Sequence, residues 1–463
     1  MAPKFGTSGL RGLVTELTDE LVGDYTRAFL AACPHGGALW LGRDLRPSSP
    51  RISAAVATAA RGEGVDVIEC GVLPTPALAL ASMGAGQAAL MVTGSHIPAD
   101  RNGLKFYLPA GEISKEDEMA IAAHLGRAAS GGQGDLRENA AAATDYVARY
   151  VTAFGPAALS GMRIGVYQHS SVARDLMMQV VAGLGAEPVA LARSDTFIPV
   201  DTEALDPDTR GMLAGWCAEH GLDAVISTDG DADRPMLADA TGKVVPGDVL
   251  GALTARSLGA DVICTPVSSN SMIAGMAEFS QVNLTRIGSP YVIAAMEAVL
   301  AEEQRAAVVG YEANGGFLLG FEAKGPAGPL SPLMTRDCIL PMVAPLAAAR
   351  AAGQGIADLV AGLPPRFTAA DRIAGIETAR SKALLAELSE DSGARAGFFS
   401  LMGAEEALDV TDGLRVKFQD GRVVHLRPSG NAPEFRCYAE ADSADAAQTL
   451  VTTYLDMLRR KLG

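Results

Sequence analysis

Aromatic residues are scarce in this chain: they make up 5% of its 463 residues, so its cores must be packed mainly with Ala, Val, Leu and Ile. Cysteine is sparse and scattered. Cys33, Cys70, Cys217, Cys264, Cys338 and Cys437 form no C-x-x-C pair, which argues against a disulfide framework or a zinc site and favours a reducing cytoplasm. No apolar run is long enough to span a bilayer, since stretches such as 340–352 are interrupted by Pro341, Pro345 and Arg350. The opening residues lack the apolar core of a secretory leader. Positive charge is in deficit as well: 38 Lys and Arg against 54 Asp and Glu leave a net −16. That balance disfavours nucleic acid or an anionic membrane as the main partner. Any anion must bind where local arginines and lysines overcome the field of the whole molecule.

What the chain does have is a repeated grammar. Apolar runs fall at 38–41, 65–68 and 88–92, again at 162–167, 188–191 and 223–227, and again at 261–264, 282–284 and 306–309. Ala-rich helical stretches such as 53–62, 173–184 and 290–303 lie between them. Strands alternating with helices, with near-continuous apolar strands, imply parallel sheets covered on both faces. The tail differs. Residues 414–418 and 422–426 alternate apolar and polar positions around an Asp-Gly turn, a third strand is expected at 434–439, and 444–460 reads as an amphipathic helix. The expected fold is therefore α/β: three similar α/β domains with mixed, mostly parallel sheets, then a C-terminal α+β domain, with Pro364-Pro365 as the linker. The expected domains are 1–145, 146–248, 249–367 and 368–463. Ligands sit beyond the carboxyl ends of strands in such sheets, so three polar strand-end loops could share a central cleft.

Two of those loops carry chemistry. The strand 88–92 runs into Thr93-Gly94-Ser95-His96, and Lys105 follows. A serine presented beside cations is suited to carrying a phosphoryl group. The strand 223–227 runs into Asp229-Gly230-Asp231-Ala232-Asp233-Arg234, where carboxylates on alternate residues make a hard-oxygen pocket for Mg²⁺. An EF-hand is excluded, because its sixth position would be Arg234 and its twelfth Ala240. A haloacid-dehalogenase-type nucleophile is disfavoured by Asp233 at the fifth position. A metal site and a hydroxyl acceptor together point to phosphoryl transfer. No G-x-G-x-x-G opens a helix after a first strand, so a nicotinamide oxidoreductase has little support.

These loops, together with Phe5-Gly6-Thr7-Ser8-Gly9-Leu10-Arg11-Gly12 and Arg427-Pro428-Ser429-Gly430-Asn431-Ala432-Pro433-Glu434, occur in an order that resembles the α-D-phosphohexomutases across essentially the whole chain. The resemblance implies a Mg²⁺-dependent mutase with four domains around a central cleft, phosphorylated on Ser95. Its phosphoserine gives the group to a hexose monophosphate, the resulting hexose 1,6-bisphosphate reorients in the cleft, and its other phosphate returns to serine. Asp229, Asp231 and Asp233, with a phosphate oxygen on Ser95, would complete the metal shell. Arg11 would lie near the transferred phosphate. Lys105 is the implied general acid/base, with His96 as the alternative proton carrier or a partner that orders the loop. Arg234 would fix a carboxylate or the phosphoserine. Glu312 and Asn314 would read sugar hydroxyls, and Arg286 and Gly288 belong to a loop that selects sugar orientation. Arg427, Ser429, Gly430 and Asn431 would hold the nontransferring phosphate, while Arg436 is assigned to the strand surface and Arg43 and Asp44 to packing.

The chain departs from the family pattern at several points. Asn314 and Gly316 stand for the serine and histidine of Gly-Glu-x-Ser-Gly-His, Ile97 for an asparagine, Ala232 for a glycine and Asn431 for a threonine. These changes bear on which sugar is preferred. Mannose 6-phosphate and mannose 1-phosphate lead, glucose phosphates come next, and glucosamine phosphate is disfavoured by Ala313. The alternative of another class is a non-catalytic sugar-phosphate binder. A monomer or homodimer taking a hexose phosphate is expected.

Overall fold

The computed structural model describes residues 3–6, 9–428 and 434–462. Its first three sheets share one plan. In the first, strands Ala38–Arg43, Asp66–Val72, Ala88–Val92 and Leu136–Glu138 are parallel, and Arg101–Leu108 runs back antiparallel beside Ala88–Val92. In the second, Glu187–Arg193, Arg163–His169 and Ala224–Thr228 are parallel, and Pro235–Asp239 returns against Ala224–Thr228. In the third, Gln281–Thr285, Val262–Pro266 and Val308–Tyr311 are parallel, and Phe317–Leu319 returns against Val308–Tyr311. Each polar loop flagged in the sequence is thus the turn between a buried parallel strand and its antiparallel neighbour. The strands Ala88–Val92, Ala224–Thr228 and Val308–Tyr311 are buried at every residue, as strands covered on both faces must be.

The fourth sheet is wholly antiparallel, in the order Phe367–Ala374, Glu434–Ala441, Val423–Pro428, Leu414–Phe418, Glu405–Asp409. Helix Ala444–Leu462 covers it, burying Leu450, Tyr454, Leu455 and Leu458 along one face. Residues 145 and 146 lie inside helix Ala141–Phe154, which joins the first unit to the second. The apolar stretch Leu340–Ala352 is one buried helix that continues through Pro345. It is about 20 Å long, short of a bilayer core of about 30 Å. Among the described residues no helix is long and apolar enough to cross a membrane. All six cysteines are free.

The cores show which units are packed together. One cluster runs without a break through Trp40, Tyr107, Tyr146, Ile164, Leu250, Tyr311 and Leu346, so the first three units share it. The fourth has a core of its own around Leu388, Phe418, Phe435 and Tyr454. Cutting Phe435, which is fully buried, to Ala should cost about 3–5 kcal/mol locally. Scanning calorimetry should then show a separate low-temperature transition for the fourth unit. A single transition that shifts as a whole would mean that the two cores melt as one.

Candidate active site

Strand Ala88–Val92 delivers Ser95 into a left-handed backbone conformation, φ 53°, which a non-glycine residue holds only when its surroundings enforce it. Here they do. Thr93 Oγ1 accepts from Ser95 N at 2.8 Å and donates to Asp44 Oδ2 at 2.8 Å. Asp44 in turn pairs with the buried Arg46 at 3.1 Å. The Arg46 guanidinium then donates to the carbonyls of Ser95 (2.8 Å), Ile97 (2.6 Å), Pro98 (2.6 Å) and Arg101 (2.9 Å). One side chain therefore ties down the whole serine loop. It also stacks on Phe197 of the second unit, 4.2 Å from the ring centre. A Cβ on Gly94 would lie 2.5 Å from Arg46 Cζ, which explains the glycine before the serine. Arg43, by contrast, reaches Glu69 at 3.5 Å.

Across the cleft, the loop after Ala224–Thr228 brings three carboxylates together. One ligand oxygen from each of Asp229, Asp231 and Asp233 lies within 4.8 Å of the others, and all three residues are buried. Ser95 Oγ donates to Asp229 Oδ2 at 2.5 Å, so the hydroxyl and the acidic triplet from different units touch. Thr75, at the start of helix Thr75–Gly84, donates to Asp231 Oδ2 at 2.8 Å. Lys105 Nζ lies 2.5 Å from both Asp231 Oδ2 and Asp233 Oδ2. Burial, with repulsion from Asp231 and Asp233, holds the Asp229 carboxyl well above the usual carboxylate range. Asp231 Oδ1 and Asp233 Oδ1 are buried with no hydrogen-bond partner. Orphaned carboxylate oxygens beside a third carboxylate fit a hard divalent cation.

Around this centre the cleft is rich in cations. A cavity of about 310 Å³ is lined by Arg11, His96, Arg234, Glu312, Asn314, Arg336, Arg427 and Arg436. The charge of Arg234, then burial and Arg11, push the half-buried His96 imidazole far below its usual range, so it is neutral at physiological pH. Burial, then Arg234, brings Arg11 down to about 10. Burial raises the Glu312 carboxyl, opposed by Arg336 and Arg234. Asn314 Oδ1 accepts from Gly316 N at 2.9 Å, which closes the Glu312 loop on itself.

Some residues lie elsewhere than expected. Arg286 is exposed and donates to the Thr411 carbonyl at 3.2 Å, and it is Ile287 beside it that lines the cavity. Gly288, at φ 130°, sits just before helix Ser289–Glu302. Arg436 faces the cavity instead of the outer surface of its strand. Arg427 Nε is 2.9 Å from Asp412 Oδ1, while Asp412 Oδ2 accepts from Ile287 N at 2.9 Å. Ser429, Gly430 and Asn431 lie outside the described residues, as do Thr7 and Ser8. Reading the sequence gave no place to Arg46, Thr75 or Arg336. Thr75 and Arg336 act on partners distant in the chain, and the carbonyls that Arg46 holds lie 49 to 55 residues from it, although its ion-pair partner Asp44 is close by.

A serine hydroxyl in contact with a buried three-carboxylate site, beside a cation-lined cavity, is the arrangement of a phosphoryl-transfer enzyme. Four domains described as phosphoglucomutase/phosphomannomutase match along the chain: alpha/beta/alpha domain I at 2–131, domain II at 144–242, domain III at 246–367 and the C-terminal domain at 376–456. A phosphomannomutase of Sinorhizobium fredii (strain NBRC 101917 / NGR234) is 46% identical over 476 residues, covering 100% of both chains. One from Salmonella muenchen is 44% identical, covering 99% of this chain and 96% of its own. The crystal structure of a phosphoglucomutase/phosphomannomutase family protein from Burkholderia thailandensis superposes with a TM-score of 0.76 at 22% identity, covering 98% of this chain and 96% of that one. The chain belongs to the phosphoglucomutase/phosphomannomutase family.

Replacing Arg46 by Met would strand the buried Asp44 and the four carbonyls of the serine loop. Denaturant unfolding should show a loss of about 3–5 kcal/mol; parent-level stability would contradict the role given to this ion pair.

Proposed function

We propose that this protein interconverts mannose 6-phosphate and mannose 1-phosphate, with Ser95 as the residue that carries the phosphoryl group. The observation that carries the reading is the contact between Ser95 Oγ and Asp229 at 2.5 Å, next to two orphaned carboxylate oxygens. Full-length likeness to two phosphomannomutases at 46% and 44% supports mannose. Asp229, Asp231 and Asp233, with a phosphate oxygen on Ser95, would hold Mg²⁺, which would supply charge neutralisation at the phosphoryl group when bound.

The chain's own residues supply the rest. In the forward half, the bond between phosphorus and Ser95 Oγ breaks as a bond to the sugar oxygen forms. The sugar hydroxyl proton passes to Lys105 Nζ, which takes it as the neutral amine and then gives it to the freed serine oxygen, so no proton is gained or lost in the half-reaction. After the 1,6-bisphosphate turns over, the bond between the other phosphorus and its sugar oxygen breaks as a bond from that phosphorus to Ser95 Oγ forms, and the serine proton passes to the sugar oxygen set free. Arg11 and Arg234 face the transferred group with fixed positive charge, which is most of what phosphoryl transfer asks of a protein. The neutral His96 can accept a hydrogen bond but adds no charge. Glu312 and Asn314 bind sugar hydroxyls. Arg427, with Ser429, Gly430 and Asn431, takes the phosphate that stays behind, and its fork suits that geometry. Gly288 lets the preceding loop turn toward the sugar, and Arg286 holds that loop to the fourth unit.

Glucose phosphates are the second reading. If Glu312 and Asn314 read O3 and O4, they do not sense C2, where mannose and glucose differ. Turnover of mannose, glucose and glucosamine 1-phosphates, each with bisphosphate activator, should rank in that order, and a preference for glucosamine 1-phosphate would overturn it. Ser95→Ala should abolish turnover, and intact-mass analysis after incubation with bisphosphate should find the added phosphate on the parent and none on the variant. Chelation by EDTA should silence the enzyme, and Asp231→Asn should cost about 10²-fold or more in kcat. Full activity without a divalent metal would sink the carboxylate assignment.

A further inference from the structure

Gly316 closes the sugar-reading loop, and its lack of a side chain has a cause in the structure. A Cβ there would lie 2.7 Å from Arg336 Cγ, 2.8 Å from Cδ and 3.0 Å from Cβ. The stem of Arg336 fills the volume that any side chain at 316 would need. Arg336 comes from another strand, Leu333–Asp337, which runs antiparallel to Phe317–Leu319. Its side chain is 5% exposed, with one end of the fork, Nη2, 2.8 Å from Asp233 Oδ2 and the other, Nη1, 3.7 Å from Glu312 Oε2. One planar cation therefore spans the acidic triplet and the loop that faces the sugar.

The residues on either side of it are pinned from outside the third unit. Thr335 Oγ1 donates to Glu112 of the first unit at 2.8 Å. Asp337 accepts from Tyr146 at 2.6 Å and Tyr150 at 2.5 Å on the helix Ala141–Phe154. A strand held this firmly fixes where the guanidinium points. We propose that Arg336 is a positioning residue for this reaction, setting the Glu312 carboxylate and the Asp233 carboxylate in fixed register across the cleft. The inference rests on the mutase reading above. A guanidinium keeps its proton under these conditions, so Arg336 contributes charge and orientation while proton transfer is left to other groups.

Steady-state kinetics of the full chain with mannose 1-phosphate, Mg²⁺ and bisphosphate tests this, with melting curves run in parallel. Arg336→Met keeps much of the stem and removes the charge; kcat/KM should fall about 10²-fold, with KM raised and kcat lowered. Arg336→Lys keeps the charge without the fork and should lose only about tenfold. If the Met variant does not fold, the Lys variant decides: a loss near tenfold supports the proposal and parent kinetics overturns it. Gly316→Ala should damage the parent by about tenfold or more yet change Arg336→Ala by less than about threefold, since the two side chains compete for one volume. A folded Met variant at least as active as the Lys variant would overturn the proposal. That failure is separable from failure of the mutase reading: Ser95→Ala would still be inactive in the first case and active in the second.

Discussion

Three carboxylates gathered in a buried place repel one another, and most of the architecture can be read as what makes that tolerable. Burying unpaired charge is costly, so each of the three is met by something from another unit. Ser95 donates to Asp229, Thr75 and Lys105 reach Asp231, and Lys105 and Arg336 reach Asp233. These partners come from the first and third units, and the acids come from the second. The shared apolar core beneath them keeps those three units in one arrangement. Chemistry and packing thus impose the same constraint.

The charge of the molecule carries the same tension in reverse. On the proposed reading, a chain of net −16 has to take up a doubly phosphorylated sugar. It does so by lining one cleft with Arg11, Arg234, Arg336, Arg427 and Arg436. The cluster has a consequence for its neighbour His96, which is driven neutral by the arginines around it. A site crowded with guanidinium groups gains anion affinity and loses one candidate proton donor.

How far the sequence could be read follows from where the partners of each residue lie. Ser95 and Asp229, Asp231 and Asp233 were legible because each sits in a loop directly after an apolar strand, and the loop composition states its chemistry. The parallel sheets and the hairpin expected at 414–418 and 422–426 were legible through periodicity; its second strand is observed at Val423–Pro428. Thr75 and Arg336 were not, since each acts on a partner brought near only by the fold; Thr75 and Asp231 are 156 residues apart. Arg46 was not either, because the serine-loop carbonyls it holds lie 49 to 55 residues away. Arg286 was expected near the sugar, but its side chain follows Thr411 of the tail, which no local pattern could place beside it. Strands Phe367–Ala374 and Glu405–Asp409 also escaped notice, because outer strands of a small antiparallel sheet are largely solvated and lack a clear apolar alternation.

The double grip of Asp412 has a mechanical meaning. One of its oxygens holds Arg427 of its own unit, and the other holds the Ile287 amide of the neighbouring one. Were the tail to swing away, the second bond would break while the first travelled with it. At that contact, release would cost this bond and the one from Arg286 to the Thr411 carbonyl, about 2 kcal/mol net, and Arg427 would keep its tie to Asp412 throughout.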